Sequence, residues 1–380
     1  MTDPLALARA RGDGPALTVG APVIPDRRGL AAYLDRALDS GRLSNFGPLA
    51  SRLEERLAER LDVPYVLSCA SGTTALMIAL RVFGVSGPTV VPSFTFAATA
   101  GALDWAGASA RFCDVEPACL TLCPIASEAA LADGARALVP VHTYGGACDV
   151  AALRDLAARY RKPLIYDAAH AFGARFQGKA VAAYGDAAAI SLHATKPFHT
   201  VEGGALLVHD QGALEEARRL ANFGLDPRRG GTARRPLGLN GKMSEIHAAF
   251  GLALLDEYDT LHERRRAVMA RYRARLPACW FLPASARGSG SDAYVAIAVP
   301  DGVARDDVVE SARREGIGLR AYFAPPLHEI DPDADQAAFP VSRGAADRVI
   351  CLPIHPDFTT AQIDRVADVV LRVCDAPRAN

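Results

Sequence analysis

The chain has 380 residues, half of them hydrophobic, and its formal net charge at pH 7 is −1. This composition is typical of a globular protein with more than one domain, and so balanced a charge excludes an obvious nucleic-acid or membrane-binding surface. None of the eight cysteines forms a C-x-x-C pair, so we expect no metal site and no disulfide framework. The first residues lack a basic start followed by an apolar core, so we expect no signal peptide and a cytoplasmic location.

Strand-like and helix-like segments alternate through the first two thirds of the chain. After a Pro- and Gly-rich arm at 1–25, a helix is predicted at 27–40, and the next helix carries leucines every fourth residue, at 49, 53, 57 and 61. Apolar, strand-like runs follow at 65–67, 89–91, 110–112, 137–141, 164–166, 187–192 and 205–208. Helices are predicted between them at 71–83, 97–105 and 150–160. This alternation indicates an α/β fold with a mainly parallel sheet flanked by helices.

A long helix predicted at 244–276 leads away from that sheet. A mixed region follows, with a strand at 293–299, a helix at 305–315, a strand at 317–321 and a helix at 360–372. We therefore predict an N-terminal arm over 1–25, a large domain over 26–250 and a smaller C-terminal α/β domain over 251–380.

Lysine is rare in this chain, which restricts the choice of a nucleophilic amine. Only four of the 42 Lys and Arg residues are lysines. Lys196 follows the apolar run 187–192 and precedes Gly203 and Gly204, where the backbone can approach a ligand closely. The other three lie before a strand, in a turn and at the start of a helix. If this protein uses a lysine amine as a nucleophile, the sequence predicts Lys196.

Polar and aromatic residues follow several predicted strands. Asp167 comes directly after one strand, and Lys196 follows the next. Gly72 and Thr73 follow another strand and open a helix, which is the local structure that binds phosphate. Phe96 offers a ring after a fourth strand. Because ligand sites form at the carboxyl ends of parallel strands, we expect these residues to lie together.

The combination matches the requirements of pyridoxal 5′-phosphate. A lysine forms the Schiff base, and a carboxylate keeps the pyridine nitrogen protonated so that the ring withdraws electrons. Each residue alone has a plainer explanation: Asp167 as a helix cap, the Ser71-Gly72-Thr73 turn as a cap, Phe96 as core, and Lys196 as a solvated lysine. Their joint occurrence in this order favours the cofactor site.

At these residues the chain resembles the DegT/DnrJ/EryC1/StrS family of pyridoxal-phosphate-dependent sugar aminotransferases, which have the aspartate-aminotransferase fold (fold type I). The resemblance runs from about residue 40 to residue 356. Its motifs are Ser44-Asn45-Phe46-Gly47-Pro48, Ser71-Gly72-Thr73, Pro92-Ser93-Phe94-Thr95-Phe96, Val141-His142-Thr143-Tyr144-Gly145, Asp167-Ala-Ala-His170-Ala-Phe-Gly173, Ser191-Leu-His193-Ala-Thr-Lys196 and Glu202-Gly203-Gly204. The segment 238–249 also resembles the family, although an aromatic residue commonly stands where this chain has Gly241.

The resemblance implies a role for each residue of the motifs. Lys196 would hold the cofactor and move a proton between cofactor and substrate carbons, and Asp167 would pair with the pyridinium nitrogen. His170 would lie near the ring hydroxyl, and Phe96 would stack on the ring. The implied phosphate contacts are Gly72, Thr73 and Ser191 of the same subunit, with Asn240 or Lys242 of the neighbour in a homodimer that shares its active sites.

The resemblance also implies a reaction. Some family members are sugar dehydratases with histidine in place of the lysine, so Lys196 favours transamination. An amino donor, expected to be L-glutamate, would convert the cofactor to pyridoxamine 5′-phosphate, which would aminate a ketone on a nucleotide-linked deoxysugar. The 196–204 stretch and Asn222-Phe223-Gly224 resemble members that act on dTDP-4-keto-6-deoxyhexoses to give 4-amino-4,6-dideoxy sugars. Amination at C3 of a 3-keto sugar nucleotide, or of a keto-inositol, remains an alternative.

Five further residues are predicted to contact substrate. Arg229 and Arg234 belong to an arginine- and glycine-rich loop suited to a diphosphate, with a solvated loop as the alternative. Tyr322 and His328 match a family segment that approaches the substrate, with packing against the large domain as the alternative. His193 either contacts substrate or orders the turn before the lysine. A non-catalytic regulatory homologue is the alternative from a different class, and retention of the whole cofactor constellation argues against it.

Overall fold

Two helices lead into the large sheet. The computed structural model describes residues 17–225, 238–282, 289–332 and 334–375, and within them α1 (Arg27–Ser40) and α2 (Pro48–Arg60) come first. The Asp26 side chain accepts from the Gly29 N–H and caps α1. The leucines that recur every fourth residue are buried along one face of α2 and its C-terminal end, which confirms the predicted amphipathic helix.

Within the part of the chain that the structure describes, seven strands form the large sheet. They are β1 (Tyr65–Cys69), β2 (Gly87–Pro92), β3 (Ala108–Cys113), β4 (Ala137–Leu138), β5 (Ile165–Asp167), β8 (Ala187–Ser191) and β9 (Gly204–Val208). The short hairpin of β6 (Arg175–Phe176) and β7 (Lys179–Ala180) lies between β5 and β8 in the chain. The order across the sheet is β3-β2-β4-β5-β8-β9-β1, with two parallel bridges joining the β4 and β5 segments. Among the described strands of this sheet, β9 alone runs against the direction of the other six, so the predicted mainly parallel sheet is confirmed.

Helices cover both faces of this sheet. They are α3 (Gly72–Val82), α4 (Ala97–Ala106), α5 (Pro124–Ala132), α6 (Val150–Tyr160) and α7 (Gln211–Ala221). Alternate residues of one strand enter different apolar clusters: Ala187 and Ala189 pack with α3 and α4, whereas Ala188 and Ile190 pack with α2 and α6. The strands are therefore buried on both sides, which explains why they appear in the sequence as continuous apolar runs.

One long helix, α8 (Glu245–Arg275), packs on two separate cores. Its 31 residues span about 45 Å. Residues 248–261 belong to the core of the large sheet, and residues 268–272 belong to the C-terminal core. The predicted domain boundary at 250/251 falls inside this continuous helix, and the division into domains stays a prediction. Across the described ranges, no helix is both long and apolar enough to cross a bilayer.

The described residues after α8 contain a small antiparallel pair and three α-helices. They are β10 (Val295–Ala298), α9 (Arg305–Arg314), α10 (Pro340–Arg348), β11 (Val349–Leu352) and α11 (Thr360–Cys374). The strand predicted at 317–321 is wrong. Ile317 and Leu319 are buried as a strand would bury them, but the segment makes only isolated bridges, Gly318 with Thr18 and Arg320 with Cys351. Its apolar alternation is satisfied without a hydrogen-bonded ladder.

The start of α8 is tied to the start of α2 by a buried carboxylate. Glu245 is fully buried, and its two carboxylate oxygens accept from the Leu49 and Ala50 N–H groups at 2.7 and 2.9 Å. These are first-turn donors that no intrahelical carbonyl can satisfy. The residue therefore caps one helix from the end of another, 195 residues away in sequence.

We expect Glu245→Ala to lower the free energy of unfolding by about 2–4 kcal/mol, because it leaves two buried N–H donors without an acceptor. Urea denaturation followed by circular dichroism measures the change. Glu263→Ala, an exposed substitution in the same helix, is the matched control and should change stability by less than about 0.5 kcal/mol. Equal stabilities of the two variants would contradict the capping role.

Candidate active site

A cavity of about 360 Å³ opens at the carboxyl ends of the parallel strands. Segments that follow β1, β2, β5 and β8 line it, together with residues of the C-terminal region. The predicted site residues in its lining are Gly72, Thr73, Phe96, Asp167, His170, Ser191, His193, Lys196 and Tyr322. The tertiary structure thus brings together residues that are up to 250 positions apart in the chain. The strand-end argument predicts this for Gly72, Thr73, Phe96, Asp167 and Lys196, and the family resemblance implied the others.

The Lys196 side chain is half-buried and lines this cavity. Its Nζ donates to the Tyr294 hydroxyl at 3.3 Å. Burial lowers the pKa of Lys196 from 10.5 to about 8, and the negative charge of Asp167 opposes that shift. A substantial fraction of the amine is therefore neutral near physiological pH, and the neutral form is the nucleophile.

Asp167 ends β5, lines the cavity and is 8% exposed. Its Oδ2 accepts from the Thr99 hydroxyl at 2.7 Å, and its Oδ1 accepts from the Ala169 N–H at 3.0 Å. Burial raises the pKa of Asp167, while these hydrogen bonds and the Lys196 charge favour the carboxylate. Both oxygens are held in place, so the group can pair with a cationic ring nitrogen.

The first turn of α3 lies against the end of β8 and forms the expected phosphate seat. The Ser71 hydroxyl oxygen accepts from the Thr74 N–H at 3.0 Å and caps the helix. A Cβ on Gly72 would come within 2.8 Å of the Ser191 Cα, so only glycine allows this approach. Hydroxyl groups of Thr73 and Ser191 and a helix N-terminus consequently line the same part of the cavity, and all three favour an anion.

His170 and Phe96 of the lining each present a group that a planar ligand would contact. His170 Nδ1 is buried and has no hydrogen-bond partner among the described residues. Burial lowers the pKa of His170 well below its usual value, so the ring is neutral. The Phe96 ring is 58% exposed although it belongs to a strand-end segment that is otherwise buried. With the phosphate seat, the lysine and Asp167, these residues fit pyridoxal 5′-phosphate.

Asn240 and Lys242 lie outside the cavity of their own subunit. The Lys242 Nζ donates to the Asn222 side-chain oxygen at 2.9 Å and lies over the Phe223 ring. Asn240 is exposed and pairs with Asn222 through an isolated bridge. Their contact with a neighbouring subunit's phosphate, and the choice between them, stay predictions.

The structure places His328 outside the cavity lining. The residue is fully buried, its Nδ1 lies 2.6 Å from the Ser93 Oγ, and its ring stacks on Phe339 at 4.3 Å. It does not line the cavity, because the Ser93 hydroxyl at the end of β2 holds it in the packed interface. The packing alternative is therefore present in the structure, and substrate contact by His328 stays a prediction. Arg229 and Arg234 lie outside the described residues.

His193 lines the cavity and also orders the turn before the lysine. Its Nδ1 lies 2.9 Å from the Thr195 hydroxyl, and its Nε2 lies 3.5 Å from a Glu202 carboxylate oxygen. The turn-ordering alternative is therefore present in the structure. Substrate contact by His193 stays a prediction.

Sequence reasoning missed three residues of the site. Tyr294 contacts the lysine amine, Phe323 lines the cavity beside Tyr322, and Thr99 donates to Asp167. Thr99 lies one helical turn after Thr95 in the segment already singled out for Phe96, and that spacing was an available signal. For Tyr294, the sequence offered no signal beyond an aromatic residue beside a strand.

Comparison with known proteins decides the family. The sequence profile of the DegT/DnrJ/EryC1/StrS aminotransferase family matches residues 26–371. The chain belongs to this family. The family is dependent on pyridoxal phosphate, so the protein is an aminotransferase with pyridoxal 5′-phosphate as its cofactor.

Three similar proteins illustrate the family's substrates. A dTDP-4-amino-4,6-dideoxy-D-glucose transaminase of Shigella dysenteriae is 31% identical over 93% of this chain and 97% of its own length. A UDP-2-acetamido-2-deoxy-3-oxo-D-glucuronate aminotransferase of Pseudomonas aeruginosa is 32% identical over 87% of this chain and 92% of its own length. The crystal structure of DesI in the presence of its TDP-sugar product superposes with a TM-score of 0.88 at 37% identity, covering 95% of this chain and 93% of DesI. All three act on or contain nucleotide sugars.

The lowered pKa of Lys196 predicts the pH dependence of covalent attachment of the cofactor. Because only the neutral amine attacks, the initial rate of attachment should rise with pH, reach half its maximum near pH 8 and then level off. For a lysine with the ordinary pKa of 10.5, the rate would continue to rise up to about that pH. Borohydride trapping followed by peptide mass spectrometry measures the rate. Asp167→Asn removes a charge that favours the ammonium form, so its midpoint should be lower. A midpoint of about 10 in the unaltered protein would contradict this.

The close contact of Gly72 with Ser191 predicts the effect of one added methyl group. We expect Gly72→Ala to weaken binding of pyridoxal phosphate by about tenfold to a hundredfold, because the backbone of the phosphate seat must shift. Fluorescence titration of the cofactor-free protein measures the affinity. Gly101→Ala in α4, where a Cβ meets nothing within 4 Å, is the control and should bind the cofactor normally. Equal affinities would show that Gly72 is not part of the phosphate seat.

Proposed function

We propose that this protein transfers the amino group of L-glutamate to a dTDP-4-keto-6-deoxyhexose, giving a 4-amino-4,6-dideoxy sugar. The observation that carries the proposal is that the Lys196 side chain lines one cavity with Asp167 and the phosphate seat. The similarity to dTDP-sugar and TDP-sugar proteins supports the nucleotide, and the motif around the lysine supports the 4-keto position.

Each residue of the cavity has a distinct role in this proposal. When bound, pyridoxal phosphate supplies a ring that withdraws electrons from the carbon at which the amino group is exchanged. Asp167 would pair with the ring nitrogen, and His170 would lie beside the ring hydroxyl. Phe96 would cover one face of the ring. Gly72, Thr73 and Ser191 would hold the phosphate.

Lys196 has two tasks that its environment makes compatible. It must hold the cofactor, and after release it must carry a proton at Nζ between two carbon atoms. A group exchanges protons most readily in both directions when its pKa lies close to the working pH. Burial places the pKa of Lys196 at about 8, which meets that condition.

Aromatic side chains suit the cavity to a deoxysugar. Tyr294, Tyr322 and Phe323 of the C-terminal region line it opposite the strand ends. An aromatic surface favours a ring that carries a methyl group where common hexoses carry a hydroxymethyl group. The described lining residues include no arginine. We therefore assign the diphosphate of the sugar nucleotide to Arg229 and Arg234.

We further propose a homodimer in which Asn240 or Lys242 reaches the partner's cofactor phosphate. Both residues lie outside their own cavity. Large apolar side chains in the neighbouring segments are also exposed, with Phe223 at 50% and Ile246 at 41%. A shared interface would cover these side chains and bring the polar groups to the second site.

Amination at C3 is the second candidate, and the similarity to a 3-oxo sugar nucleotide aminotransferase favours it. That relative is as similar in sequence as the 4-amino sugar enzyme. The two candidates require the same cofactor chemistry. They differ in which carbon of the sugar ring must face the Lys196 amine.

The first test of the proposal is a two-step assay. Adding glutamate to the cofactor-loaded protein should shift the cofactor's absorbance from the near-visible to shorter wavelength, and a dTDP-4-keto-6-deoxyhexose should then be converted to the amino sugar and restore it. We expect Lys196→Ala to lower the turnover rate by about 10²–10⁴-fold, since the proton carrier is lost. Lys162→Ala, which lies outside the cavity, is the control.

The same assay separates the substrate candidates. The kcat/KM for the 4-keto sugar nucleotide should exceed that for a 3-keto sugar nucleotide or a keto-inositol. The reverse order would overturn the C4 assignment and leave the aminotransferase activity in place. A bound cofactor whose absorbance does not respond to glutamate would overturn the choice of donor.

A further inference from the structure

A short segment of the C-terminal region reaches the reacting lysine. Tyr294, just before β10, is 8% exposed, and its hydroxyl accepts from Lys196 Nζ at 3.3 Å. Its ring stands edge-on to the His170 ring, with centroids 4.9 Å apart. Among the described residues, Lys196 is the only hydrogen-bond partner of this hydroxyl. The phenol is therefore buried in an aromatic environment and directed at the amine.

The backbone that carries Tyr294 is held from two sides. The buried Arg265 guanidinium donates to the Asp292 and Ala293 carbonyl oxygens, each at 3.1 Å. The Ser291 hydroxyl donates to the His170 carbonyl at 2.5 Å. A guanidinium group is planar and rigid, so its hydrogen bonds to two consecutive carbonyl oxygens leave this segment little freedom. The position of the Tyr294 hydroxyl is consequently set by the packing of α8 and of the loop after β5.

We propose that Tyr294 is a positioning residue for the Lys196 amine and holds Nζ in the cavity in both of its protonation states. The inference rests on the proposed function, in which Lys196 is the reacting lysine. A phenol can accept a hydrogen bond from an ammonium group and donate one to a neutral amine. It therefore suits a lysine that must take up and give back a proton at one place.

The two hydrogen bonds are unequal, and this inequality gives a measurable signature. A hydrogen bond from an ammonium group is charge-assisted and roughly twice as strong as one between neutral groups. Loss of the hydroxyl should therefore destabilise the ammonium form more than the neutral amine. The other titratable groups in the same cavity are Asp167, His170, His193, Glu202 and Tyr322, and they are unchanged by this substitution.

The test compares Tyr294→Phe with Tyr272→Phe in the full-length chain. Tyr272 is also fully buried and loses a hydrogen bond, from its hydroxyl to the Pro353 carbonyl, but it lies in the C-terminal core away from the cavity. Each protein is freed of cofactor and given saturating pyridoxal phosphate across a pH series. Borohydride trapping and mass spectrometry of the Lys196 peptide then give the pH midpoint of attachment.

We expect Tyr294→Phe to lower this midpoint by about half to one pH unit and Tyr272→Phe to leave it unchanged. An unchanged midpoint in Tyr294→Phe, with attachment still at Lys196, would overturn the inference and leave the proposed function intact. Equal shifts in both variants would also overturn it, because they would reflect loosened packing. Attachment to a lysine other than Lys196 would overturn the inference together with the lysine assignment on which it rests.

Discussion

The chemistry of this protein depends on removing Lys196 and Asp167 from water in one cavity. Burial disfavours both charges, so it lowers the pKa of the amine and raises that of the carboxylate, while their mutual attraction opposes both shifts. The outcome is a lysine whose pKa of about 8 lies near neutrality and a carboxylate prepared for a cationic partner. An exposed pair would retain ordinary pKa values and would serve neither purpose.

The fold achieves this burial with small residues at the strand ends. Gly204 lies so close to the first turn of α3 that a Cβ there would be 2.4 Å from the Gly72 nitrogen. Gly72 in turn contacts Ser191 at the end of β8. The helix N-terminus can therefore approach the lysine turn closely enough for one small ligand to touch both. Larger residues at either glycine would separate the phosphate seat from the amine.

The C-terminal region completes the site and is joined to the sheet by buried polar contacts. The Asp114 carboxylate, just after β3, accepts from the Val341 and Ser342 N–H groups at the start of α10. Ser93, after β2, contacts His328. These contacts lie at the carboxyl ends of β2 and β3, at the edge of the sheet where the cavity opens. His328 thereby joins the C-terminal region to the large sheet, and its contact with substrate stays a prediction.

The sequence by itself determined the alternating α/β pattern, the choice of Lys196, and the cavity position of Asp167, His170 and the phosphate seat. The pattern and the positions of Asp167 and the phosphate seat follow from local periodicity and from the rule that parallel strands place their carboxyl ends at one edge. The rarity of lysine singled out Lys196, and the family resemblance indicated His170. None of these inferences requires knowledge of distant contacts. Tertiary structure alone decided that Tyr294 meets the lysine, that His328 packs against Ser93, and that residues 317–321 form no strand. Each of these depends on which distant segment lies opposite, and one sequence holds no local record of that pairing.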